Sequence, residues 1–407
     1  MKESGMKILY LTTEGFDTSN ANNQMAMVMI REFLKNGHSV HLIQSRRTRE
    51  FDEIPLMLKE KENLTVETLD RKIVGKKNFV IRYLDEVAWA FKSFSRWRKD
   101  KNVDVVFLQS CPTAIFQIIL LKIFCRKPIL FNIYDMWPGN LLELKITNSK
   151  IMVYVFRMLQ RLAYSLCSKI SVLSEDMKEK LLVEKVDKSK IIVVPAWFDD
   201  EVDMLISDEN NKFMKKYSLV RDKFVVQFAG NIGYTFDYKT VLEAARLLER
   251  EENILFEIIG DGSFKKDFVL EAKELGLKNI VFFPMQPVDI VPDVYRACDV
   301  EIIPLRATTI GVGVPSKAPI VMACKKPIIN AVEMDSNYYR IFNEEGMGIS
   351  VPVANAEKLA EAIMKLYVHP EVRNSMAEKA FEYTHREYSS TVGTQKFIAA
   401  FLEMKRG

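Results

Sequence analysis

The sequence predicts an α/β protein built from two doubly wound domains in tandem. Three observations carry this. Short β-branched or apolar runs alternate with longer helical patterns from end to end, the alternation lapses once near the middle, and 407 residues exceed what one core organises.

In the first half the strand candidates are KILYLTT (7–13), SVHLIQS (39–45), LTVETL (64–69), VDVVFLQS (103–110), PILFNIYD (128–135), KISVLS (169–174) and KIIVVP (190–195). Helical patterns separate them, as parallel pairing requires. From Phe198 to Arg221 the pattern fades into a polar, first acidic and then basic stretch, and the domain boundary is placed there, at 205/206.

A second alternation follows: FVVQFAG (224–230), ILFEIIG (254–260), NIVFFP (279–284), DVEIIPL (299–305), PIINAV (327–332) and GISVPV (348–353). The second domain is expected over 206–385. The segment 386–407 reads as a helix with no strand after it, packing across a domain surface, back onto the first domain.

Composition narrows the function. Hydrophobic residues at 48% and charged residues at 28% indicate a folded globular chain. A formal net charge of +4 is small for this length and argues against a dedicated nucleic-acid binder. The five cysteines are scattered and odd in number, so they read as reduced core thiols of a cytoplasmic protein, without metal-ligand spacing. No leader or membrane-spanning segment is expected, since the most apolar run, from Ala114, is broken by Lys122, Arg126, Lys127 and Pro128. The four histidines, His38, His41, His369 and His385, avoid strand ends, so Ser/His/Asp and Cys/His chemistry is unsupported.

Ligands of doubly wound sheets bind where strands end. In the second domain AGNIGYTFD follows the first strand, and Gly230 and Gly233 would let the amides of Asn231 and Ile232 approach a phosphate, or form a plain glycine turn. GDGS brings Gly260, Asp261 and Gly262, and PMQP brings Met285 and Gln286. PLRATTIGVGVPSK then supplies Arg306, Gly311, Gly313, Ser316 and Lys317. Pro319 marks a first helical turn, which puts Lys317 at a helix N-terminus, where a cation costs about 0.3–1 kcal/mol unless an anion binds. A pyrophosphate held by backbone amides, a helix end and Lys317 accounts for the set.

The order GHSVHLI, YDMWPGN, VVPAWFDDE, FAGNIGYTFDYKTVLEAARLL, IIGDGS, RACDVEIIPL and VPSKAPIVMACKKPII resembles the retaining family-four glycosyltransferases of the glycosyltransferase B fold, nearest the bacterial polysaccharide members with a Pro-Ser-Lys signature. The resemblance implies two Rossmann-like domains facing a cleft. The second would bind a nucleoside-diphosphate sugar and the first a lipid-linked or oligosaccharide acceptor. It also implies transfer with retention and no metal or other cofactor, with Lys317 and Arg306 stabilising the departing diphosphate. Asp135 and Trp137, just after the run PILFNI, read either as a cap and a core residue or as groups at the cleft rim, Asp135 contacting acceptor or donor-sugar hydroxyls and Trp137 flooring the site, while Gly15, Ser19, Asn20 and Asn22 occupy the place of the family's acceptor loop.

The sequence departs from the family pattern in two places. Ile320 stands where the family's second Glu grips the ribose, with nothing acidic from Ala307 to Ala331. The usual Arg and Lys after the first strand of the second domain are also missing, so Lys317 has to compensate. These losses admit a donor held differently, such as a deoxyribose nucleotide, a non-catalytic partner subunit of the same fold, or a sugar-nucleotide epimerase. Residues 80–101 interleave Tyr83, Trp89, Phe91, Phe94 and Trp97 with Arg82, Lys92, Arg96, Arg98, Lys99 and Lys101, which suits either a core-packed helix or one lying on the inner face of an anionic membrane.

Overall fold

The computed structural model describes residues 5–16, 21–46, 56–58, 61–71, 79–100, 102–136 and 149–406. They divide into two compact units: Met1–Pro195 together with Ser390–Gly407, and Ala196–Ser389. The first boundary therefore falls at 195/196 rather than 205/206, because the acidic stretch after Trp197 packs with the second unit. There Phe198 pairs with Ser389 and is buried. The second boundary falls at 389/390.

In the first unit a parallel sheet runs in the order β3-β2-β1-β4-β5-β6-β7. Its strands are β1 (Lys7–Leu11), β2 (Ser39–Arg46), β3 (Leu64–Asp70), β4 (Val105–Gln109), β5 (Ile129–Asn132), β6 (Lys169–Val172) and β7 (Ile191–Val193). Helices α1 (Ala21–Lys35), α2 (Phe79–Trp97), α3 (Ala114–Leu120), α4 (Lys150–Leu166) and α5 (Glu175–Val183) connect them. The strands β1 and β4–β6 are buried throughout apart from the edge of β1, as a sheet covered on both faces demands.

The second unit repeats the plan as β10-β9-β8-β11-β12-β13. Here β8 is Phe224–Asn231, β9 Ile254–Asp261, β10 Ile280–Phe283, β11 Val300–Pro304, β12 Ile328–Val332 and β13 Gly348–Pro352. The helices are α6 (Lys212–Tyr217), α7 (Tyr238–Leu247), α8 (Lys265–Glu274), α9 (Val291–Arg296), α10 (Ala318–Ala323), α11 (Asn337–Glu344), α12 (Ala356–Val368) and α13 (Pro370–Glu387). Side chains cap several: Asp237 accepts from Thr240 N at the start of α7, and Asn355 from Lys358 N at the start of α12.

The last helix, α14 (Ser390–Arg406), belongs to the first unit. Phe397 and Phe401 are buried against Phe107 of β4, with ring centroids 5.3 and 6.3 Å away, and Phe401 also meets Phe33 of α1.

Strand order reverses between β1 and β4 in one unit and between β8 and β11 in the other. Each reversal splays the flanking loops and opens a crevice at the carboxyl ends of those strands. The candidate site residues are therefore those following β1, β4, β8 and β11.

Outside the first sheet, two helices expose apolar stripes. On α2, Ile81, Leu84 and Phe91 face solvent, and on α4 Ile151, Tyr154, Val155, Met158 and Leu162 do, Ile151 being 79% exposed. Both sets recur at helical spacing, so each is one continuous face. Phe124, also exposed, packs on Phe94 of α2, and Tyr83 of α2 packs on Phe156 of α4, so the stripes belong to one layer. Trp89 and Trp97 instead turn into the core, 1% and 2% exposed, which for these two side chains is the core-packed alternative of the sequence pattern. Lys92, Arg96, Arg98 and Lys99 are exposed, while Lys101 and the side chain of Arg82 lie outside the described residues. Among the described residues no helix is long and apolar enough to cross a membrane.

Candidate active site

In the second unit the carboxyl end of β8 is built from backbone. Gly230 pairs with Gly260 and Asn231 with Asp261 across β8 and β9. A Cβ on Gly260, at φ +149°, would sit 1.9 Å from the Gly230 carbonyl oxygen, so the two strand ends approach closely because neither carries a side chain there. The Ile232 amide donates to the Asp261 carbonyl at 2.8 Å and its side chain is fully buried. That corrects the expectation of a free Ile232 N–H for phosphate. Asn231 and Asp261 remain exposed, and the Asp261 carboxylate accepts from Gly262 N at 2.8 Å. Gly233 lies close against the Asn231 side chain.

Lys317 is the N-terminal cap residue of α10, with Pro319 in the first turn, as the sequence indicates. Its side chain turns inward. The ammonium lies 3.2 Å from Glu301 Oε1 and 3.6 Å from the centre of the Phe228 ring, and it sits directly over Gly230, where a Cβ would be 3.2 Å from Nζ. Gly230 thus makes room for Lys317. Burial lowers the Lys317 pKa and the Glu301 carboxylate opposes that shift. Glu301, mid-strand on β11 and wholly buried, is pushed up to about 7 by desolvation, with Lys317 and the Ala229 amide working against it.

Arg306 follows β11 and its guanidinium lies 4.6 Å from the centre of the Phe264 ring, while its amide donates to Thr235. The loop holding Gly311, Gly313 and Ser316 is closed by Thr309, whose hydroxyl donates to the Arg306 carbonyl and whose own carbonyl accepts from the amides of Val312 and Gly313. Ser316 is half-buried beside Lys317. Met285 is exposed, whereas Gln286 is buried and donates to the Tyr217 hydroxyl and the Pro284 carbonyl. It also accepts from Lys216 and so braces the loop to α6, a structural use the sequence reading did not give it.

Three groups at this edge escaped the sequence reading. Glu301 is one. Lys265 donates to the carbonyls of Gly260 and Phe283, which puts a second ammonium at the ends of β9 and β10. Glu333, just past β12, has both carboxylate oxygens shielded with no hydrogen-bond partner among the described residues. Its signal was an acidic residue directly after the strand run PIINAV.

In the first unit a small recess opens at the β1/β4 reversal, walled by Tyr10, Thr12, Glu14, Phe16, Asn22, Asn23, Gln109, Ser110, Tyr134 and Asp135. Asn23 donates to the Gly15 carbonyl at 2.8 Å and Phe16 N to Gln44, which shape the loop after β1. Asp135 stands at the solvent-accessible mouth, yet the crowding of its neighbours, and secondarily the Glu14 carboxylate, raise its pKa. The Tyr134 hydroxyl is buried beside Asn132. Gly15, Asn22 and Asp135 thus gather here. Ser19, Asn20 and Trp137 lie outside the described residues. No three His, Cys, Asp or Glu side chains cluster as metal ligands among the described residues.

Known proteins resemble both units of the chain. Residues 209–383 match the family described as glycosyl transferases group 1, and residues 23–202 the one described as glycosyltransferase family 4. A probable glycosyltransferase of Pseudomonas aeruginosa, WbjE, is 27% identical over 80% of this chain and 81% of its own. A Campylobacter jejuni α-1,4-N-acetyl-D-galactosaminyltransferase, named for an undecaprenyl-diphosphate-linked glycan, is 23% identical over 63% of this chain and 62% of its own. Among solved structures, the Anabaena protein Alr3699/HepE in complex with UDP aligns with a TM-score of 0.71 at 15% identity, over 98% of this chain and 100% of that one. At that identity the likeness speaks for the fold alone.

Proposed function

We propose that the chain is a group 1 glycosyltransferase of the glycosyltransferase B fold and that it moves a sugar from a nucleoside diphosphate onto a lipid-linked or oligosaccharide acceptor, with retention, in bacterial surface polysaccharide assembly. The observation that carries the reading is Lys317, an ammonium held by a buried carboxylate over Gly230 at the β8/β11 reversal. A diphosphate seated at Asn231 and Gly230 would meet this cation and, beside it, Arg306. Charge that develops on the leaving diphosphate is stabilised there without a metal ion. Glu333 would accept hydrogen bonds from donor hydroxyls, the task Ile320 cannot perform. In the first unit the recess of Tyr134 and Asp135 would receive the acceptor hydroxyl. No side-chain nucleophile is invoked, and the departing phosphate takes the acceptor's proton. The relatives' names, one of them for a polyprenyl-linked glycan, support the acceptor class.

The same reading places the enzyme at the cytoplasmic face of a membrane. The exposed stripes of α2 and α4 lie beside Lys92, Arg98, Lys99, Lys122 and Arg126. A second copy of the chain would bring these like charges together, whereas an anionic bilayer accepts both the apolar stripes and the basic rim.

The test is a metal-free thermal-shift panel with uridine, thymidine and guanosine diphosphates and their sugar conjugates, with EDTA present, on wild type, Lys317→Ala and Glu333→Ala. One nucleotide class should raise the melting temperature. Lys317→Ala should abolish that rise, and Glu333→Ala should weaken it more for the sugar conjugate than for the diphosphate. A response unchanged in Lys317→Ala would remove Lys317 from the site. Binding without turnover on any lipid-linked acceptor would favour the partner-subunit reading that Ile320 suggests.

A further inference from the structure

A row of buried polar side chains crosses the middle of the second sheet beneath the site. Glu257 of β9, Gln227 of β8 and Glu301 of β11 are register partners in sequence across three adjacent strands, and all are at most 3% exposed. Their hydrogen bonds do not close. Gln227 Nε2 donates to Glu257 Oε2 at 3.2 Å, but Gln227 Oε1 has no donor. Glu301 Oε1 takes both the Lys317 ammonium at 3.2 Å and the Ala229 amide at 3.0 Å, while Oε2 has none. Two orphan acceptors therefore face the same layer on neighbouring strands, with no hydrogen to share. Buried acceptors in this state are costly, and one proton on Glu301 Oε2 would turn an acceptor into a donor beside Gln227.

We propose that Glu301 positions Lys317 and takes up a proton from solvent when a nucleoside-diphosphate sugar binds, which frees the full charge of Lys317 for the diphosphate. The proposal rests on the donor reading above. Before binding, the ammonium is compensated by Glu301. An arriving diphosphate places a second negative charge against the same cation, so the buried carboxylate is left undercompensated and its ionised form becomes unfavourable. A proton passes from a buffer acid to Glu301 Oε2, an O–H bond forms there, and the conjugate base stays in solution. Glu301 is a positioning residue: it acts through Lys317 and does not touch the substrate.

The other titratable groups around Glu301 do not supply this proton. Tyr295 of α9, with Cys298 after it and Cys324 at the end of α10, are buried and held protonated. Asp299 is turned to Arg373. Asn330 of β12 is neutral. Glu257 lies beyond Gln227 and is likewise raised to about 7, so it serves as the control. Free Glu301, near 7, has an ionised fraction to neutralise on the alkaline side of neutrality.

The experiment is isothermal calorimetry with whichever of UDP-glucose, dTDP-glucose and GDP-mannose binds, in pairs of buffers that differ in ionisation enthalpy, at about pH 8 and about pH 6. Sugar conjugates are used because their phosphates are diesters that do not titrate in this range. Wild type should show buffer-dependent enthalpy amounting to nearly one proton taken up at the higher pH and little at the lower, with affinity rising as pH falls. Glu301→Gln should bind with buffer-independent enthalpy, and Glu257→Gln should keep the uptake. Buffer-independent enthalpy in wild type, or uptake lost in Glu257→Gln instead, overturns the proposal and leaves the donor reading standing. No binding of any of the three by wild type overturns both. Should Glu301→Gln fail to fold, the wild-type pH course and the Glu257→Gln control still decide.

Discussion

At the residue scale the second unit keeps two carboxyl groups where a parallel sheet ordinarily keeps only aliphatic side chains. Glu257 is 3% exposed, accepts one hydrogen bond from Gln227 and is raised from 4.5 to about 7, mainly by desolvation. In the unfolded chain it ionises near 4.5, so between there and 7 the folded state binds more protons than the unfolded one. Stability from this group is therefore present at acid pH and lost as pH rises through that window. At about 1.36 kcal/mol per unit the loss is on the order of 3 kcal/mol. Glu257→Gln keeps the shape and the Gln227 contact and has nothing to ionise. It should melt close to wild type at about pH 5 and clearly above it at about pH 8. Thermal melts across that range check this, and parallel curves for the two proteins would show that Glu257 is not the source.

At the element scale, each strand candidate in the sequence is a strand in the structure, because period and composition alone decide whether a run can lie in a sheet covered on both faces. The runs FVVQFAG, ILFEIIG and VEIIPL each carried one polar residue amid apolar ones, and the pattern did not say that these three fall in register on adjacent strands. Register is set by tertiary pairing, so the Glu257–Gln227–Glu301 row was illegible, and with it the partner of Lys317. Glycine spacing did foretell the strand-end loops, while Ile232 and Gln286 looked like ligands because hydrogen bonds to remote backbone and to Tyr217 cannot be seen in a linear pattern. The closing helix was legible as a helix without a strand to follow. Its fit depends on Phe397 and Phe401 entering the β4 side of the first sheet at Phe107. Phe401→Ala should cost about 3–5 kcal/mol, measured by denaturant unfolding, because Phe401 is wholly buried and leaves a cavity between α1, α14 and β4. A cost below about 1 kcal/mol would mean that α14 does not seal the core of the first unit.

At the scale of the whole molecule the formal charge of +4 spread over 407 residues gives no strong overall field, so attraction to an anionic surface has to come from a local concentration of charge. The α2 end supplies one with Lys92, Arg96, Arg98 and Lys99, though Arg96 also faces Glu67. Each basic side chain near an anionic bilayer contributes about 1 kcal/mol, an attraction that fades beyond a Debye length, while on the proposed membrane contact the stripes of α2 and α4 would add area that salt does not screen. The two contributions separate by experiment. Sedimentation with anionic vesicles should weaken sharply for Arg96→Glu/Arg98→Glu/Lys99→Glu at low salt. For Ile151→Ser/Tyr154→Ser/Met158→Ser it should weaken equally at low and high salt, because area rather than charge is lost. These apolar side chains are exposed, so their replacement should leave the fold intact by circular dichroism and melting temperature. Wild-type protein that stays in the supernatant with anionic vesicles at low salt would remove the membrane contact and leave the α4 stripe as a surface for a protein partner.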